Sequence, residues 1–280
     1  MKIPLTPLHF LKNVYDHYPD KIALVYQDRK ITWNEYYYNV LNIANTLNEI
    51  CKPKTNICVL MKNIPEHFQL YYAIPLIGCV IISINYRLDY NSIANILDNS
   101  DAEAIIYDSE FDDLVENSLN SLNKNYKKKI KKIRHQDQKS LESKGSDNDY
   151  FNLFDSNNKI IDWDKKILEI EEETYLTIIY TNGSTKNPKG AIYKHKTIFL
   201  KCLINSYGIH FHNYDFGNKF LQISPLYHIS GINNIWYNTV NKLEIYCIKN
   251  IDYETIIYNL EKYEINNTSG STGILEIIVK

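Results

Sequence analysis

The sequence predicts an α/β fold in which a mostly parallel sheet is flanked by helices. Short apolar runs and helical segments alternate along most of the chain, the rhythm of βαβ units. The runs, such as "NICVLM" and "CVIISIN", are continuously apolar, as expected of strands buried on both faces. The segments between them carry helix-start signals, which separates them from further strand.

Taken in order, "KIALVYQDRKITW" reads as two short strands around Gln27-Asp28-Arg29. "TWNE" then forms a capping box, with Thr32 three residues before Glu35. Tyr36, Val40, Ile43, Ala44 and Leu47 recur at helical spacing, so a helix runs to about Glu49. "NICVLM" (56–61) is a strand. "IPEHFQLYYAIPLIG" is a helix opening at Pro65, which Pro75 ends or kinks. "CVIISIN" (79–85) is a strand, "DYNSIANILDNS" a short helix and "EAIIYD" a strand. Later, "TYLTIIYT", "KFLQIS", "KLEIYCI" and "EINNT" read as strands. They alternate with helices at "HKTIFLKCLINSYGI", "GINNIWYNTVN", "DYETIIYNLEKY" and "STGILEIIVK". That last helix ends the sequence without a cap, which predicts an incomplete chain.

The stretch at about 123–164 breaks the rhythm. "KNYKKKIKKIR" reads as a solvated helix or strand edge, and the acidic, serine-rich part after it as an exposed loop.

Bulk properties narrow the function classes. With 280 residues, 44% of them hydrophobic, a sizeable core can be buried. A net charge of −2 argues against a general nucleic-acid binder. No apolar run is long enough to span a bilayer, and "MKIPLTPLHF" lacks the apolar region of a signal peptide. Cys51, Cys58, Cys79, Cys202 and Cys247 are widely spaced, so reduced thiols and a cytoplasmic setting are expected. His210 and His212 have no third ligand near them in sequence, so no zinc site is expected there.

The chemistry concentrates in "YTNGSTKNPKG", residues 180–190, directly after an apolar run. Thr181, Ser184 and Thr185 supply hydroxyls, Gly183 permits close backbone approach, Lys186 and Lys189 add positive charge, and Pro188 stiffens the exit. Such a turn can form an anion nest. A surface turn rich in turn-forming residues is the other reading. The spacing fits neither the Walker A loop nor GxGxxG.

The order of residues resembles the phosphate-loop signature YTSGTTGxPKG of the adenylate-forming acyl-CoA synthetases. Tyr180, Thr181, Gly183, Thr185, Pro188, Lys189 and Gly190 match it, with Ser184 in place of threonine. His195 matches a histidine common in the family. "NIPEHF…INYRLDY" and "SPLYHISGI" resemble further family segments in the expected order, so the likeness spans nearly the whole chain. Asn182 and Lys186 depart from it, standing where the family has small residues.

The resemblance implies stacked, mostly parallel sheets flanked by helices, the N-terminal part of the family's fold. It implies a first α/β subdomain over residues 1–170 and a second, incomplete one over 171–280. The lysine-bearing C-terminal domain would be absent. The implied reaction is attack of a small-molecule fatty or aromatic carboxylate on ATP, giving acyl-adenylate and pyrophosphate, then transfer to coenzyme A. Thr181, Asn182, Gly183, Ser184, Thr185, Lys186, Pro188, Lys189 and Gly190 would hold the phosphates, with Mg²⁺ near Thr185. His228 would stand by the reacting groups. The "TSGSTG" turn at Thr268–Gly273 would border the acyl pocket at Gly270 and His228. A peroxisomal address would lie at the C-terminus, and "IVK" is not one. A non-catalytic remnant used for binding or scaffolding is the alternative. A serine hydrolase is remote, because no GxSxG occurs.

Overall fold

The computed structural model describes residues 3–127, 129–136, 161–181, 189–209 and 218–270, together with Gly273 and Glu276. In chain order the elements are α1 (Leu8–His17), β1 (Ile22–Tyr26), β2 (Arg29–Thr32), α2 (Trp33–Ile50), β3 (Asn56–Leu60), α3 (Pro65–Leu76) and β4 (Val80–Ser83). Next come α4 (Tyr90–Asn99), β5 (Ala102–Asp108), α5 (Asp112–Asn120), α6 (Lys124–Lys127), β6 (Lys131–His135), α7 (Trp163–Leu168), β7 (Tyr175–Thr181) and β8 (Lys189–Lys194). The last are α8 (His195–Ile209), β9 (Lys219–Gln222), α9 (Ile229–Val240), β10 (Glu244–Cys247), α10 (Tyr253–Lys262) and β11 (Asn267–Thr268).

The strands form two sheets. One has six strands in the order β6-β5-β3-β4-β7-β8, the other five in the order β11-β9-β10-β1-β2. All neighbours pair parallel except the hairpins β7–β8 and β1–β2. The sheets do not divide the chain at residue 170: β1 and β2 join the five-stranded sheet, whose other strands follow residue 218, while β7 and β8 join the six-stranded one.

The apolar strands are buried on both faces because helices lie on both sides of each sheet. Ile57 and Val59 of β3 point into the large core shared with α1, α2, α3 and α9. Cys58 and Leu60 point the other way, under α4 and α5. Likewise Ile245 and Cys247 of β10 face the shared core, whereas Tyr246 and Ile248 face the cluster that includes Ile256 of α10. This period-2 split of one apolar run serves two cores at once. All twelve residues of α3 are buried, Glu66, His67 and Gln69 among them, so this helix is enclosed on every side by the shared core.

Local signals set the helix ends. Thr32 Oγ1 accepts from Glu35 N at 3.2 Å, and Glu35 Oε2 accepts from Thr32 N at 2.7 Å, the reciprocal capping box. Asp89 accepts from Asn91 N and Ser92 N at 2.9 and 3.0 Å, and Asp252 accepts from Thr255 N at 2.8 Å. Pro75 sits in the last turn of α3, which ends one residue later.

The expected polar stretch at 123–164 is more ordered than predicted. Its basic run forms β6, an edge strand burying Ile133 and His135 by alternation, and its end forms α7, which buries Trp163. Residues 137–160 lie outside the described residues, as do His210 and His212. So does the expected final helix, apart from Gly273 and Glu276 in helical conformation. Four elements were not expected at all: α1, α5, α7 and β8.

Candidate active site

The phosphate-loop candidates fall on the β7–β8 hairpin. β7 runs parallel to β4, so Thr181 stands at the carboxyl end of a parallel strand, where ligands of open α/β sheets bind. β8 returns antiparallel, with Thr181 opposite Lys189 and Tyr180 opposite Gly190. Thr181 and Lys189 are therefore paired, exposed groups at the mouth of the connection. Asn182, Gly183, Ser184, Thr185, Lys186 and Pro188 lie outside the described residues. Gly190 is glycine for a local reason: a Cβ there would come within 2.7 Å of Ile178 Cγ2 and 3.3 Å of the Tyr180 ring. The Tyr180 hydroxyl donates to Asn99 Oδ1 at 2.8 Å, and burial pushes it up to about 12.

His228 occupies the N-cap of α9, exposed at the end of "SPLYH". Its Nδ1 accepts from Ser230 N at 3.4 Å and pairs with Ser230 Oγ at 2.9 Å. With Nδ1 as acceptor, the neutral ring carries its proton on Nε2, leaving an outward donor. The helix N-terminus adds a positive dipole end at the same place.

The segment that carries His228 is held by side chains far away in sequence. Asn63 Nδ2 donates to Ser224 O at 3.1 Å, and Asn63 Oδ1 accepts from Leu226 N at 3.0 Å. Tyr71 donates its hydroxyl to Leu226 O at 2.7 Å and pairs with Ser83 Oγ at 2.7 Å. His67 Nε2 meets the same Ser83 Oγ at 2.9 Å, and burial lowers His67 to about 4. Gly231 lets α9 press against Pro225, whose carbonyl oxygen would stand 2.1 Å from a Cβ.

Gly270 follows Ser269, which is tied to this scaffold. Ser224 Oγ donates to Ser269 O at 3.0 Å, and Asn234 Nδ2 donates to Ser269 Oγ at 2.9 Å. The turn at 269–270 thus lies against the first turns of the helix that begins at His228. Tyr227 meets Tyr86 edge-on at 5.2 Å. Tyr86 lies just past the carboxyl end of β4, the strand beside β7, so the His228 segment packs against the carboxyl edge of the six-stranded sheet. His195, by contrast, is buried with its Nδ1 2.8 Å from Thr6 Oγ1, a structural position.

The sequence reading missed the holding roles of Asn63, Tyr71, Ser83 and Asn234. Asn63 had a signal, since it opens the "NIPEHF" segment; the others had none. Among the described residues no three metal-binding side chains cluster, and Thr185 lies outside them.

A family model described as AMP-binding enzyme matches residues 11–280. The chain is 26% identical over 305 residues to the peroxisomal trans-cinnamate:CoA ligase of Petunia hybrida, covering 99% of this chain and 50% of that protein. It therefore spans about half the length of the curated relatives it matches. Among solved structures, o-succinylbenzoate coenzyme A synthetase of Bacillus subtilis with ATP and magnesium superposes with a TM-score of 0.75 at 16% identity, over 96% of this chain and 50% of that one. The N-terminal domain of FACL13 from Mycobacterium tuberculosis superposes with a TM-score of 0.78 at 15% identity, over 100% of this chain and 65% of that one. The placement of Thr181 and Lys189 at the carboxyl end of a parallel strand agrees with the family match over nearly the whole length: the chain belongs to the AMP-binding enzyme family.

Proposed function

We propose that this chain carries the acid- and phosphate-facing part of an enzyme that activates a fatty or aromatic carboxylic acid with ATP. The acid's carboxylate oxygen attacks the α-phosphate, its P–O bond forms, and the bond to pyrophosphate breaks. The thiolate of coenzyme A then takes the acyl group and AMP leaves. The observation that carries this reading is the paired Thr181 and Lys189 at the carboxyl edge of the sheet against which the segment leading to His228 and the α9 N-terminus packs.

The residues divide the work. Thr181, Asn182, Gly183, Ser184, Thr185, Lys186, Pro188, Lys189 and Gly190 would hold the phosphates, with donors placed where charge builds on the departing pyrophosphate. His228 would present its Nε2 proton to the acyl carboxylate or the α-phosphate. Ser269, Gly270 and Asn234 would border the acyl end. Magnesium, bound with the nucleotide near Thr185, would share the pyrophosphate charge.

Titration of the 280-residue chain with MgATP tests the reading. Binding should be measurable, and Lys189→Ala should weaken it about tenfold through one lost charge-assisted contact. Absence of nucleotide binding would defeat it. The substitutions Asn182 and Lys186 within the loop favour a second reading, a remnant that keeps the fold and binds no nucleotide; the same titration separates the two. ATP–pyrophosphate exchange with a panel of acids should be silent for this chain alone, because it spans half of its relatives.

A further inference from the structure

β3, β4 and β7 begin at a hollow of about 510 Å³, which their first residues Asn56, Val80 and Tyr175 help to line. It lies at the amino ends of these strands. Thr181 stands at the other end of β7, about 20 Å away at about 3.3 Å per residue. Leu76, Ile77, Val80 and Ile170 give the hollow apolar walls. His195 also lines it, although only 2% exposed. Its Nδ1 is engaged by Thr6 Oγ1 at 2.8 Å, which leaves Nε2 to bond a ligand. Burial lowers this ring to about 4, so it is neutral at neutral pH. The size of the hollow, and apolar walls with few polar groups, are those of small-molecule sites. Most charges around it are already paired: Lys166 with Glu169 at 2.9 Å, and Glu173 with Lys194 and Lys196 at 3.0 and 3.2 Å. Lys54 and Glu171 remain, and among the described residues neither has an ion-pair partner. Lys54 sits in a fixed turn, its N donating to Gly78 O at 2.7 Å with φ at +70°. Both side chains are exposed whereas His195 is buried, so the hollow runs inward from free charge through apolar wall to a neutral imidazole.

We propose that this hollow binds an α-amino acid with a phenolic side chain. Its carboxylate meets Lys54, its ammonium meets Glu171, its ring lies between Ile77, Val80 and Ile170, and its hydroxyl bonds His195 Nε2. A hydroxyl both donates and accepts, so it suits either neutral tautomer of that histidine. A fatty acid would leave Glu171 unanswered and set an alkyl end against a buried polar nitrogen, which costs free energy. A simple amine would leave Lys54 unanswered. The site is separate from the carboxyl edge that carries Thr181 and stands whether or not the chain activates acids.

The test titrates the 280-residue chain with L-tyrosine, L-phenylalanine and tyramine by calorimetry, and locates the bound ligand by amide hydrogen exchange. L-Tyrosine should bind saturably, and amides of residues 77–80 and 169–175 should exchange about tenfold more slowly at ten times its Kd. L-Phenylalanine, without the hydroxyl, should bind about fivefold more weakly. Lys54→Gly and Glu171→Gln should each weaken L-tyrosine about tenfold. Both positions are exposed, and glycine suits the positive φ at 54, so the variants should keep the parent's circular dichroism and melting temperature. Tyramine, which has no carboxylate, should bind parent and Lys54→Gly alike. The proposal is overturned if L-tyrosine does not bind, or if tyramine loses as much as L-tyrosine in Lys54→Gly. It is equally overturned if the protection falls on residues 219–228 and spares 169–175, which would place the amino acid at the carboxyl edge instead.

Discussion

The carbonyl oxygen of Pro225 occupies the space that any side chain at position 231 would need: a Cβ on Gly231 would stand 2.1 Å from it, and 2.9 Å from Ser224 O. Both obstacles are backbone, so relief requires α9 to move away from the segment that carries His228. Gly231→Ala should cost about 1–3 kcal/mol, the usual range for overpacking a tight site. Urea unfolding measures it, and an unchanged midpoint would show that α9 shifts freely.

Tyr71→Phe removes the hydroxyl that donates to the Leu226 carbonyl and leaves that oxygen buried. The expected loss is about 1–3 kcal/mol. Ser83→Ala breaks the adjoining contacts but leaves the Tyr71–Leu226 bond, so it should cost less. Equal losses in the two variants would mean that the Leu226 bond has no separate weight.

Lys249 Nζ lies 3.3 Å from Asp108 and 3.2 Å from Glu110. Asp108 is 1% exposed, and burial already raises its carboxyl above the ordinary value. Lys249→Met should therefore cost about 3 kcal/mol by stranding a buried charge. Adding Asp108→Asn should recover part of that; a double variant no more stable than the single one contradicts the account.

His67 and His195 respond to acid. Burial holds each at about 4, against an ordinary 6.5. The unfolded chain takes up protons first as pH falls. Their contribution is thus fully present above about pH 6.5 and is lost as pH drops towards 4. The loss by about pH 5 is on the order of 2 kcal/mol per histidine. Chemical denaturation of the parent and His195→Asn at about pH 7.5 and about pH 5 isolates one of them. The variant should lose less on acidification, and a parallel loss would refute the assignment.

What could be read from sequence was whatever has a local cause. The Thr32–Glu35 box, Pro65, Asp89 and the two-faced runs of β3 and β10 each specify their element within a few residues. β8 was missed because "KGAIYK" has no alternation to betray it: four of its six residues are exposed. β6 was read only as a solvated helix or strand edge, and it is the edge. In the candidate site the motif at 180–190 was legible, while the contacts that hold His228 were not. They join Asn63 and Tyr71 to residues 222–226, across 155 to 163 positions.

Those same separations bear on how the molecule assembles. Contacts so distant along the chain carry a large closure entropy and form slowly. The turn presenting His228 should therefore become rigid only once β9 and α9 have reached α3, after most of the polypeptide has been synthesised. Newly made chains caught before that point would hold a finished β3–β4–β5 sheet beside an unanchored histidine.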